Sequence, residues 1–158
     1  MLRLINYDIV FQEIPDEVTL AINISNCPNH CKSCHSPWLW EDKGEVLSEE
    51  VLISLLEKYG TAITCVCFMG GDNDPTEVQN LATFLHKQNA VHVKVGWYSG
   101  RSELPAELNL NEFQYIKTGP YVENLGGLKS RRTNQRLYKI TGGELNDITS
   151  RFWSKFIV

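Results

Sequence analysis

Residues 18–34 read VTLAINISNCPNHCKSC, and the reading of this stretch decides the fold. In its first half Val18, Leu20, Ile22 and Ile24 alternate with Thr19, Ala21, Asn23 and Ser25, the two-residue period of a strand with one apolar face. The second half reaches Cys27 at once, so the strand delivers a thiol-rich loop at its carboxyl end.

Strand and helix signals keep alternating downstream. Leu47, Val51, Leu52, Leu55, Leu56 and Tyr59 mark one face of a helix that Ser48 can cap and Gly60 can close. Residues 62–69 read as a buried strand. Asp74-Pro75-Thr76-Glu77 predicts a helix start, with Asp74 capping, Pro75 in the first turn and Glu77 reaching back; Val78, Leu81, Ala82 and Leu85 form its buried stripe. Val91, Val93 and Val95 open a further strand ending near Trp97-Tyr98-Ser99-Gly100. Residues 113–117 make a short one before Thr118-Gly119-Pro120.

This order predicts an α/β fold, with parallel strands joined by right-handed helical crossovers. A closed eight-unit barrel takes about 250 residues. The 158 residues of this chain therefore predict a partial (β/α) barrel: a curved, mostly parallel sheet with one side uncovered, in a single domain over residues 1–158. In such folds the ligand sits at the carboxyl ends of the strands. Residues 26–35, 70–74, 98–101 and 117–121 are unusual loops that fall there, and one shared site is expected.

Composition narrows the class. With 42% hydrophobic and 22% charged residues the chain matches the globular average, which excludes a disordered or fibrous protein. A net charge of -4 lacks the basic surplus of a general nucleic-acid binder, so no nucleic acid is expected as partner. The longest apolar stretch, residues 63–69, is far short of the roughly 20 residues that cross a bilayer, so no membrane partner is expected either. The N-terminal MLRLINYDIVF meets Asp8 before any sustained apolar run, which predicts a cytoplasmic protein. In that reducing compartment five cysteines point to metal binding or redox chemistry rather than disulfides.

Cys27, Cys31 and Cys34 place three thiols within eight residues, close enough for one loop to wrap an iron-sulfur cluster. A cubane of four irons held by three thiolates leaves one iron open to another molecule, which means chemistry rather than structure alone. A structural zinc completed by His30 or His35 is the plainer alternative, but zinc motifs usually draw a second ligand pair from a separate segment and none is apparent. Cys65 and Cys67 share parity on a buried strand and suit core packing better than ligation. His86 and His92 stand alone and stay outside the site.

The Cys-x3-Cys-x2-Cys spacing after the first strand resembles the radical S-adenosylmethionine superfamily. The string CPNHCKSCHSPWLW over residues 27–40 is similar to the activating proteins of anaerobic ribonucleotide reductase and, more loosely, of pyruvate formate-lyase. Gly70-Gly71-Asp72, Lys117-Thr118-Gly119-Pro120-Tyr121 and Thr133-Asn134-Gln135-Arg136 extend the likeness from about residue 17 to about residue 140. Two departures stand out. Asp72 replaces the glutamate that follows the glycine pair in much of the superfamily, and Ser33 replaces a common aromatic.

The resemblance implies a 4Fe-4S cluster on Cys27, Cys31 and Cys34, with S-adenosylmethionine on the open iron. One electron, from a donor such as flavodoxin or ferredoxin, cleaves the cofactor to methionine and a 5'-deoxyadenosyl radical. The radical then takes hydrogen from a glycine of the anaerobic ribonucleoside-triphosphate reductase. Gly70, Gly71, Asp72 and Ser99 are the implied cofactor-binding residues, the glycines by close backbone approach and carbonyl acceptors, Ser99 by its hydroxyl. Ordinary turns are the plainer reading of both segments, and core packing that of Trp38, Leu39 and Trp40. Lys129, Arg131, Arg132 and Arg136 form either a solvated loop or a docking surface for the reductase, with Asn134 and Gln135 near its entrance. The competing functions are a radical enzyme acting on another glycyl radical enzyme or a small molecule, and a non-catalytic metal-binding module.

Overall fold

The structure is a computed structural model and describes residues 2–25, 44–88 and 92–153. Eight strands form one sheet: β1 (Arg3–Val10), β2 (Thr19–Ile24), β3 (Glu45–Val46), β4 (Cys65–Met69), β5 (Lys94–Tyr98), β6 (Tyr115–Thr118), β7 (Arg136–Thr141) and β8 (Glu144–Asp147). Their order across the sheet is β3-β1-β2-β4-β5-β6-β7-β8. Two α-helices, α1 (Glu49–Tyr59) and α2 (Pro75–His86), are present among the described residues.

The partial barrel of mostly parallel strands with helical crossovers is overturned by this topology. β2, β4, β5 and β6 pair in parallel, giving three parallel pairings, whereas β1 with β2, β1 with β3, β6 with β7 and β7 with β8 give four antiparallel ones. Nor does a helix accompany every crossover: α1 precedes β4 and α2 links β4 to β5, but β5 reaches β6 through a loop whose only helical turn is the three residues Leu110–Glu112. The strand-helix rhythm holds only in the middle of the chain. Its two outer portions pair antiparallel, through residues 11–18 between β1 and β2, residues 119–135 between β6 and β7, and a two-residue turn between β7 and β8.

The helices form where the caps and stripes predict. Ser48 accepts a hydrogen bond from the Val51 N–H at 3.2 Å, and Asp74 accepts from the Glu77 N–H at 3.3 Å with Pro75 in the first turn. Gly60 ends α1 in the right-handed conformation, φ -56°, so its N–H on the Leu56 carbonyl rather than a left-handed turn closes the helix. Leu52, Leu55 and Leu56 of α1 and Val78, Leu81, Ala82 and Leu85 of α2 are buried against Leu20, Ile22, Ile24, Val66, Phe68, Val95, Trp97 and Ile116 of the sheet. Each full burial of such a side chain contributes about 1.5–3 kcal/mol, so this face is the main core.

The second face, expected to be bare, is covered among the described residues. Ile14 from the β1–β2 connection packs with Cys65, Cys67, Tyr115 and Leu137, and Leu128, Ile148 and Phe152 join them. Polar contacts hold this cover in place. Lys129 donates to Gln12 at 2.9 Å, Arg151 pairs with Asp16 at 2.6 Å, and the Trp153 indole N–H donates to the Leu128 carbonyl at 3.1 Å. At the amino ends of the parallel strands the buried Glu17 carboxylate accepts from Lys94 at 2.8 Å and from the Tyr115 hydroxyl at 2.7 Å. Burial works against its charge, but the hydrogen bonds from Lys94, Tyr115 and Thr64 outweigh it and hold the carboxyl below its ordinary range. No helix among the described residues is long and apolar enough to cross a membrane.

Candidate functional site

Register brings the predicted loops together. Asn23 pairs with Met69, Met69 with Tyr98 and Tyr98 with Lys117, so the carboxyl ends of β2, β4, β5 and β6 lie side by side. Residues 70–74, 98–101 and 117–121 leave from these ends as neighbours, and the cysteine loop begins just beyond Ser25 at the end of β2. Cys27, Cys31 and Cys34 themselves, with His30, His35 and Trp38, lie outside the described residues. Among the described residues no three His, Cys, Asp or Glu side chains are grouped to hold a metal ion.

The glycine pair is a turn that only glycine can make. Gly70 and Gly71 have φ of +112° and +98°. A Cβ on Gly70 would lie 3.1 Å from the Ile24 carbonyl oxygen, and one on Gly71 would lie 2.6 Å from Val78 Cγ2. The missing side chains therefore make room for β2 and α2 of this chain, which holds the end of β4 tight against the end of β2. The Gly70 carbonyl accepts from the Trp97 indole N–H at 2.8 Å, and the Gly71 carbonyl from the Asp74 N–H at 3.0 Å. Each carbonyl oxygen keeps a second lone pair for a ligand.

Asp72 and Ser99 meet directly. Ser99 Oγ donates to Asp72 Oδ1 at 2.6 Å, and the Gly100 N–H donates to Asp72 Oδ2 at 2.8 Å. The Arg101 N–H donates to Ser99 Oγ at 3.1 Å, while its guanidinium donates to the Asp72 carbonyl at 3.2 Å. Lys117 anchors the same turn from β6: its buried ammonium donates to the Ser99 carbonyl at 3.1 Å and the Gly119 carbonyl at 2.9 Å, 5.7 Å from the Tyr98 ring centre. The Gly119 N–H donates to the Arg101 carbonyl at 2.7 Å.

The segment Thr133-Asn134-Gln135 lies on that third turn. A Cβ on Gly119, φ +101°, would meet Gln135 Cα at 3.1 Å. Asn134 Nδ2 donates to the Pro120 carbonyl at 3.0 Å, and its buried Oδ1 has no hydrogen-bond partner among the described residues. The segment that carried the family likeness thus sits beside the other site loops. Arg101 and Trp97 were missed as participants. The arginine directly after Ser99-Gly100 was a visible signal, but its polar reach to Asp72 depends on strand adjacency that spacing alone does not give.

Cys65 and Cys67 belong to the second core. Burial pushes the Cys65 thiol up to about 12, helped by the Glu17 carboxylate, and pushes Cys67 well up as well. Both stay protonated at neutral pH and are poor ligands there. His86 and His92 border a cavity of about 250 Å³ with Leu85, Val93, Lys94 and Gln114. Lys94 begins β5 and Gln114 precedes β6, so this cavity lies at the amino ends of the strands, away from the loops described above.

Comparison with protein-family models, with curated proteins and with solved structures finds no match. What the described residues offer is three turns fixed to one another, beside the end of β2 from which the cysteine segment departs. The glycine backbone can take a polar ligand on its remaining lone pairs; the side chains of Asp72 and Ser99 already take each other.

Proposed function

We propose that the chain is an activating enzyme of the radical S-adenosylmethionine type, which reductively cleaves that cofactor at a 4Fe-4S cluster and leaves a glycyl radical on an anaerobic ribonucleoside-triphosphate reductase. The observation that carries this reading is one of adjacency. The Cys27, Cys31, Cys34 segment follows β2 in sequence, and the carboxyl end of β2 lies beside the end of β4 from which the Gly70-Gly71 turn leaves. Three thiolates would hold the cluster and leave one iron for the cofactor, and the bound cluster supplies the electron that breaks its carbon-sulfur bond. The backbone of residues 70–72 and 99–101 would line the cofactor's methionine end. The segment 133–136 lies beside the same turns and would meet the partner's glycine-bearing loop.

Anaerobic reconstitution with iron and sulfide tests the reading. The expected results are a cluster-bearing chain that releases 5'-deoxyadenosine when reduced with S-adenosylmethionine present, and a glycyl radical signal when the reductase is added. Uptake of zinc alone, or a cluster without 5'-deoxyadenosine, would reject the enzyme reading. Cofactor cleavage without a radical on the reductase would transfer the activity to another substrate.

A further inference from the structure

Asp72 and Ser99 are 2% and 1% exposed, on the turns that leave neighbouring parallel strands. A serine hydroxyl has one proton to donate. Here that proton goes to Asp72 at 2.6 Å, while the same oxygen accepts from the Arg101 N–H at 3.1 Å. The other Asp72 oxygen takes the Gly100 N–H at 2.8 Å. A ligand group that needed the Ser99 hydroxyl as its donor, such as a carboxylate, would have to take that proton from Asp72 inside a buried cluster, where an unpaired group is strongly disfavoured.

We infer that Asp72 and Ser99 are positioning residues for the cofactor site rather than contacts of the cofactor. Together they clip the turn at residues 99–101 to the Gly70-Gly71 turn, so that two backbone segments form one prearranged wall. The Arg101 guanidinium closes the clip by returning to the Asp72 carbonyl at 3.2 Å, and Lys117 braces the turn from the β6 side. This inference rests on the radical S-adenosylmethionine reading. It adds that the acid after the glycine pair works through the protein backbone, which explains why it must reach a serine one strand away.

The test uses the full reconstituted chain and the variants D72A, D72N and S99A, with two measurements. The first is amide hydrogen exchange at Gly100 and Arg101 without cluster or cofactor. The second follows the cleavage reaction and separates the KM for S-adenosylmethionine from the turnover rate, kcat. D72A is expected to speed exchange at both amides and to raise KM by roughly tenfold or more, with kcat and bound iron little changed, as befits lost preorganisation. D72N, whose amide oxygen still accepts from Gly100, should show a smaller rise, and it carries the test should D72A fail to fold. The D72A/S99A pair should lose less than the sum of D72A and S99A, because both remove the Ser99–Asp72 bond. Unchanged exchange in D72A, or losses in kcat/KM that add in the double variant, would overturn the positioning role and leave the activity reading standing. A wild-type chain with a full cluster that neither binds nor cleaves the cofactor would end the activity reading, and the positioning role with it.

Discussion

Ile14 occupies the space that a side chain at residue 96 would need: a Cβ on Gly96 would lie 2.9 Å from Ile14 Cδ1 and 3.2 Å from Cys67 Sγ. A glycine inside a strand loses packing and entropy unless another part of the chain uses the gap. Here the β1–β2 connection uses it to cap the second face. G96A should therefore destabilise the protein by about 1–3 kcal/mol through overpacking. I14A, which empties the site, should cost about 2–5 kcal/mol. The double variant should cost less than the sum because the two residues share one volume. Urea unfolding of the three variants measures all of this.

Glu17 sets an acid limit on stability. Its folded carboxyl lies below the unfolded value of 4.5, since the hydrogen bonds from Lys94 and Tyr115 outweigh its burial. The contribution is therefore complete above about pH 4.5 and fades as pH falls through the depressed folded value. E17Q should lower stability at pH 7 by about 1.5–3 kcal/mol, the range for hydrogen bonds to a charged group, and should flatten the loss that sets in as pH falls below 4.5. Unfolding midpoints against pH give the comparison.

Thiol chemistry should divide the five cysteines into two groups. Cys65 and Cys67 are fully buried, with thiols driven up by burial, Cys65 to about 12. In the native cluster-free protein a disulfide reagent at about pH 8 should leave both untouched and label them only after unfolding. C65A and C67A should each retain wild-type iron after reconstitution, whereas alanine at Cys27, Cys31 or Cys34 should abolish cluster uptake. Iron per chain is the decisive measurement.

The β7–β8 turn offers a stabilising change. Gly142 and Gly143 have φ of +59° and +78°, the two positive values of the turn that suits a two-residue hairpin. Nothing lies within 4 Å of a Cβ placed on Gly142, whereas one on Gly143 meets Asn111 Oδ1 at 3.2 Å. G142N should raise stability by about 0.4–1 kcal/mol by restricting the unfolded chain, and G143N should not. Thermal unfolding separates the two.

The middle of the chain was legible because its signals are local. The Asp74-Pro75 start and the Val78, Leu81, Ala82, Leu85 stripe defined α2, and the apolar alternation of residues 18–24 defined β2, which proves buried on both faces. The outer portions were less so. Leu2 and Leu4 are buried but Tyr7 is exposed, so β1 shows no clean two-residue period. β7 and β8 went unread: they have few buried side chains, and β8 is exposed throughout. Nothing in the spacing of residues 99–114 announced that β5 would reach β6 without a helix. For the site, the convergence of the described loops was readable from strand order, but the Asp72–Ser99 contact was not. That contact depends on β4 and β5 being neighbours in parallel register, a fact of tertiary pairing.

The strand order also fixes when the full set of converging turns can first exist during synthesis. Its parts come from residues 24–25, 70–74, 98–101 and 117–121, and its three parallel pairings join segments far apart in sequence. No nascent chain ending before β6 can contain it. The β7–β8 hairpin, by contrast, closes across two residues as soon as both strands have emerged. A chain arrested just short of Thr118 would carry the cysteine segment before the turn of residues 117–121 exists.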